Sequence, residues 1–167
     1  MSPFDIATLN SLPPEAFIHA LGGIFEHSPW VAASVVDARP FESLAALHAA
    51  MCAAVWDAPV DDQLNLVCAH PELAGKAAVR GELTEESTRE QHGAGLDQCS
   101  PEEFTTLTQL NGEYRERFGF PFILAVRGHT RASIIAAMQA RMGHTREEEL
   151  AESLTQIERI AALRLGL

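Results

Sequence analysis

The chain has 167 residues, 47% of them hydrophobic, with 23 acidic against 12 basic side chains and a formal net charge of −11. That length suits a single domain with a proper core. The charge argues against nucleic acid, whose binding needs concentrated Lys and Arg, and against an anionic membrane surface; the expected class is a soluble protein with a small-molecule partner.

In chain order, residues 1–10 lack both a basic start and an apolar core, so no signal peptide is expected. Pro13-Pro14-Glu15 opens a first helix with Phe17 and Leu21 on one side, stopped by Gly22-Gly23. A short helix over about 30–37 is closed by Arg39-Pro40. Ser43 caps a helix whose buried stripe is Leu44, Leu47, Met51 and Val55. The next, from about Val60, ends near His70, because Pro71 disfavours helical geometry in the residue before it. Ser87-Thr88-Arg89-Glu90 reads as a capping box, but Thr84 is an equally good cap, and the local pattern leaves the choice open.

Ser100-Pro101-Glu102-Glu103 is a clear capping box for a helix reaching Phe118, with Gly119 suited to its C-terminal turn. Thr130 caps a helix ending at Gly143, and Thr145-Arg146-Glu147-Glu148 starts a final helix running to about Leu165. Between them, residues 120–126 do not read as helix: Gly119 and Pro121 break it, yet the segment is apolar enough to be buried. Its backbone donors and acceptors need partners, either a ligand or ordinary packing. No repeat or linker appears, so the expectation is one domain over 1–167, an all-α multi-helix bundle with one buried non-helical segment near 120–127.

No apolar run approaches the about 18 residues needed to span a bilayer, and the terminal Leu-Gly-Leu is not a peroxisomal Ser-Lys-Leu tail. Cys52, Cys68 and Cys99 are widely spaced, with no Cys-x-x-Cys pair, which favours reduced thiols and a cytoplasmic setting. No His-Glu-x-x-His or similar spacing occurs among the seven histidines, so no metal site is expected.

Three places can carry chemistry. His70 stands at a forced helix end, where the negative end of the dipole favours an imidazolium suited to proton donation; the structural alternative is a His satisfying a free carbonyl. If Thr84 is the cap, Ser87 and Glu90 lie on adjacent turns of one face beside Gln91 and present a hydroxyl, a carboxylate and an amide together. In the last helix Leu150, Leu154, Ile157 and Ala161 define an inward stripe; Arg164, seven residues after Ile157, points the same way, and Arg159 points out. An inward guanidinium needs an anion, either a protein carboxylate or a substrate carboxylate held bidentately.

The chain resembles the OHCU decarboxylase family, whose substrate is 2-oxo-4-hydroxy-4-carboxy-5-ureidoimidazoline. The resemblance runs from Glu26-His27-Ser28-Pro29-Trp30 and Arg39-Pro40-Phe41, through His70-Pro71-Glu72-Leu73-Ala74-Gly75-Lys76 and Ser87 to Gln91. It continues to Leu110-Asn111, Tyr114, Phe118-Gly119-Phe120-Pro121-Phe122-Ile123, Ala125-Val126-Arg127-Gly128 and Leu163-Arg164-Leu165. It implies a helical homodimer that makes (S)-allantoin in urate degradation without a cofactor. His70 is then the proton donor and Glu90 its carboxylate partner. The substrate, a small anionic ureide, is implied to lie among Pro71, Ser87, Gln91, the backbone of Phe122, Ile123, Leu124, Ala125 and Val126, and Arg164. A non-catalytic helical binding module is the competing reading, but it predicts a disrupted His70, Glu90 and Arg164 set. A hydrolase of the preceding intermediate is a second, but it calls for an activated water or another nucleophile with no clear residue set.

Overall fold

The computed structural model describes residues 2–167. Among them are ten α-helices, two short 3-10 turns and no strand, the all-α class that the capping signals and helical periodicity predict. The chain divides into two compact units, Met1–Ala69 with Ile157–Leu167, and His70–Gln156.

The first unit holds α1 (Ile6–Ser11), α2 (Pro14–Ala20), α3 (Trp30–Val35), α4 (Leu44–Asp57) and α5 (Val60–Ala69), together with the C-terminal part of α10 (Arg146–Leu165). Pro14 at the first helical position starts α2, and Ser43 caps α4 by accepting the Ala46 N–H. Phe17, Leu21, Leu47, Met51, Val55 and Leu66 are buried in this unit; fully burying a side chain of this size contributes roughly 1.5–3 kcal/mol. Helix α1 is not among the sequence expectations. Its cap is Asp5, which accepts the Thr8 N–H at 2.8 Å, and Arg39 donates to the carbonyls of Leu9 and Leu12 at its far end. Arg39 therefore has a structural role, adding donors to carbonyls at the end of the short helix.

The second unit holds α6 (Lys76–Val79), α7 (Glu85–Gly93), α8 (Pro101–Phe118), α9 (Arg131–Arg141) and the N-terminal part of α10. The Ser100 capping box is formed on both sides, and Gly119 closes α8 with φ +82°, a left-handed conformation that costs glycine little. Thr130 and Ser133 make a reciprocal box at the start of α9. Thr145 and Glu148 do the same for α10.

The buried stripe of α8 is Leu107, Leu110, Asn111, Tyr114 and Phe118. After it, residues 120–126 run without helix or strand, with Phe120, Phe122, Ile123, Leu124 and Val126 buried. Tyr114 packs edge-on against Phe122, ring centres 5.3 Å apart, and Phe118 stacks on Phe120 at 6.2 Å. None of the described helices is long and apolar enough to cross a membrane.

Candidate active site

Two stretches of non-helical backbone carry most of the candidate residues, and both are held by α8. The first follows α5. Pro71 removes a backbone donor and ends the helix, leaving His70 at its carbonyl end and only 6% exposed. The next residues turn sharply: Ala74 has φ +52°, sparsely populated for a residue with a Cβ. Gly75 has no room for one, since an added Cβ would lie 2.8 Å from the Glu72 Cβ.

Side chains from α7 and α8 hold that turn. Gln91 accepts the Ala74 N–H at 2.9 Å and donates to the Glu72 carbonyl at 3.3 Å. Asn111 donates to the Leu73 carbonyl at 2.9 Å, and Arg115 pairs with the Glu72 carboxylate at 2.8 Å. The Gln91 amide, an expected substrate contact, thus also spends both its ends on the turn beside His70.

The open choice of cap is decided in favour of Thr84, whose hydroxyl accepts the Ser87 N–H at 3.2 Å. Ser87 then lies inside α7, buried one turn before Gln91, with Glu90 half-buried beside it. The second stretch is 120–126. Its Ile123 carbonyl accepts from Arg141 Nη1 at 2.5 Å, and its Ala125 N–H donates to Gln156 at 3.0 Å. Protein groups therefore meet part of the polar demand that the sequence leaves open between packing and a ligand.

Arg141 is buried because a charge balances it. Its Nε lies 2.9 Å from the carboxylate of Glu149, which is 0% exposed, and its guanidinium covers the Phe122 ring at 4.3 Å. Tyr114 donates to the same carboxylate at 2.5 Å, and His144 lies 2.8 Å from its other oxygen. Burial first, then the Glu149 carboxylate, push the Tyr114 hydroxyl well above the usual range, so it stays a neutral donor.

Arg164 belongs to the first unit. Its side chain is 5% exposed and Arg159 is exposed, as the helical spacing predicts. It meets the buried Glu26 carboxylate at 2.8 Å and donates to the Gly23 carbonyl at 2.8 Å. A protein carboxylate is therefore one partner of Arg164, the first of the two alternatives that its inward position leaves open.

The sequence reading gives no role to Asn111, Arg141, Glu149 or Gln156. For Asn111 the signal was a polar residue on an apolar stripe. In α10 the stripe through Leu150 needs widening: Leu150 is half-buried, whereas Glu149, Ser153 and Gln156 are buried. Tyr114 and Arg141 make that face acceptable for a carboxylate.

The sequence model describing OHCU decarboxylase matches residues 10–166, nearly the whole chain and both units. This chain belongs to the OHCU decarboxylase family. Membership makes it a carboxy-lyase. It is 42% identical to the 2-oxo-4-hydroxy-4-carboxy-5-ureidoimidazoline decarboxylase of Haloferax volcanii, over 99% of this chain and 96% of that protein. It is 41% identical to the protein of that name from Halalkalicoccus jeotgali, over 99% and 92%. Among solved structures, a crystal structure of (S)-allantoin synthase superposes with a TM-score of 0.78 at 35% identity, covering 97% of this chain and 53% of that one.

Proposed function

We propose that this OHCU decarboxylase converts 2-oxo-4-hydroxy-4-carboxy-5-ureidoimidazoline to (S)-allantoin in urate degradation, without a cofactor and with His70 as the proton donor. The observation that carries this reading is the match over nearly the full length of two decarboxylases named for that substrate. The burial of His70 at the end of a helix supports its role.

In this substrate the scissile carboxylate is on a carbon next to a ring C=N group. As the bond to CO2 breaks, its electron pair flows into that imine, so the substrate is its own electron sink. The protein then has to orient the carboxylate, stabilise the developing charge and deliver a proton to one face. The carbonyl end of α5 and the Glu90 carboxylate both favour a protonated His70, opposing the effect of burial. One-sided delivery sets the S configuration. Ser87 and Gln91 hold ureido and ring polar groups, Pro71 and the backbone of 122–126 wall the substrate, and Arg164 anchors the carboxylate. Positioned proton transfer contributes roughly 10²- to 10⁴-fold in rate. The family match across both units supports treating 1–167 as one domain; a cytoplasmic homodimer completes the proposal.

The test generates the substrate from urate enzymatically, adds this protein, and follows CO2 release and allantoin chirality. The substrate also decays unaided, so rate and enantiomeric excess are both scored. His70→Asn should abolish acceleration with the fold and assembly intact, and chelators, pyridoxal phosphate and thiamine diphosphate should leave the wild-type rate unchanged. A well-folded His70→Asn protein with wild-type turnover would reject the proton-donor role. Chelator sensitivity reversed by one specific metal would reject the cofactor-free mechanism.

A further inference from the structure

We propose that Asn111 is a positioning residue that fixes His70 through the turn at 72–74. The proposal rests on the reading of His70 as proton donor. Once Pro71 has ended α5, helical hydrogen bonds no longer set the path of the backbone beyond His70. Side chains do so instead. Three consecutive residues, Glu72, Leu73 and Ala74, are each bonded from α7 or α8. The turn includes a non-glycine residue at φ +52°, a conformation that persists where its surroundings over-determine it.

Asn111 differs from the other two clamps. Arg115 is half exposed, so its pair with Glu72 is weak, and Gln91 is already proposed to touch substrate. Asn111 is 4% exposed, sits on α8, and bonds the middle residue of the three. Its amide orientation follows from the Leu73 carbonyl it faces, because an oxygen there would repel.

Helix α8 also carries Tyr114, three residues later on the same buried stripe and packed on Phe122. One rigid helix thus carries supports for both the His70 turn and the 122–126 segment, and Asn111 is the link on the His70 side. Proton transfer needs donor and acceptor within about 3 Å, and a misplacement of about 1 Å can cost on the order of 10²-fold.

Asn111→Leu removes the donor at nearly constant volume and is tested in the full-length protein. Per folded molecule, kcat should fall roughly 10- to 100-fold with KM within about threefold, since the donor moves while Ser87, Arg164 and the backbone of 122–126, which the turn does not carry, stay. The enantiomeric excess of the enzymatic product should fall with it. A purely structural role predicts a lower Tm with unchanged kcat and enantiomeric excess per folded molecule, and that result overturns the proposal.

Asn111→Asp is the second variant, kept for the case in which the leucine protein does not fold. Its buried carboxylate repels the Leu73 carbonyl when ionised, and when protonated its O–H replaces the lost donor. Its kcat relative to wild type should therefore rise as pH falls. A ratio flat with pH, with wild-type chirality, overturns the proposal. His70→Asn in the same assay separates the two layers. If it loses acceleration while Asn111→Leu does not, only the positioning role is rejected. If it keeps full activity, the proton-donor reading falls and the proposal falls with it.

Discussion

Arg164 and Glu26 are both nearly buried, 2.8 Å apart in the first unit. Removing two charges from water costs several kcal/mol per ion, which good geometry only partly recovers. Such a pair is weak evidence of stability alone, and Arg164 is also proposed to anchor the substrate carboxylate. Arg164→Lys keeps the charge but loses the planar fork. We expect kcat/KM to fall roughly 10- to 150-fold, the equivalent of one charge-assisted contact worth about 1.5–3 kcal/mol. Arg159→Lys, on the exposed side, should stay near wild type. An Arg164→Lys protein that melts early with full specific activity would mark the residue as a structural ion-pair partner only. Cys52 gives a second test at this scale. Burial first, then the nearby Glu158 carboxylate, push its thiol up to about 12, whereas Cys68 is exposed. At pH 8 a thiol reagent should modify Cys68 rapidly and leave Cys52 largely unreacted until the protein is unfolded. Fast labelling of Cys52 in the native protein would show that its burial is not maintained.

At the scale of elements, the group formed by Tyr114, Arg141, His144 and Glu149 joins α8, α9 and α10 to the segment at 120–126. Helices pack through apolar stripes, but an extended segment has backbone groups that such stripes cannot satisfy. Arg141 satisfies the Ile123 carbonyl, and Glu149 makes a buried cation tolerable there. Arg141→Met removes the cation, leaving Glu149 buried with only neutral donors and His144, and takes the donor from Ile123. Breaking a buried pair from one side typically costs roughly 3–5 kcal/mol, which urea unfolding would read as a lower midpoint. A loss below about 1 kcal/mol would mean that the segment holds its shape by packing alone.

At the scale of the whole molecule, a net charge of −11 opposes the approach of an anionic substrate. Screening weakens that repulsion, because the Debye length falls from about 30 Å at 0.01 M salt to about 8 Å at 0.15 M. The short contacts proposed to His70 and Arg164 would be screened much less. Wild-type kcat/KM should therefore rise across that range, with kcat nearly constant. A fall in kcat/KM with added salt would show that the local positive groups dominate the approach, contrary to this account of the field.

Most helix boundaries were legible in the chain because they depend on residues within about four positions of one another. Pro14, Ser43, Ser100, Thr130 and Thr145 each start a helix in the expected place, Gly119 and Pro121 interrupt the chain before 120–126, and Arg164 and Arg159 face the expected ways. Short elements were missed: α1, and α6 with its single turn, bury too little to leave a periodic pattern. The tertiary structure decided what local pattern could not. It chose Thr84 over Ser87 as the cap of α7, gave Gln91 a backbone to hold, and paired Asn111 with Leu73 across 38 residues. It also buried Glu149, a residue that sequence alone would leave in water. Caps and periodicity are local, whereas the partner of a buried polar group is whichever complementary group the packing brings within about 3 Å.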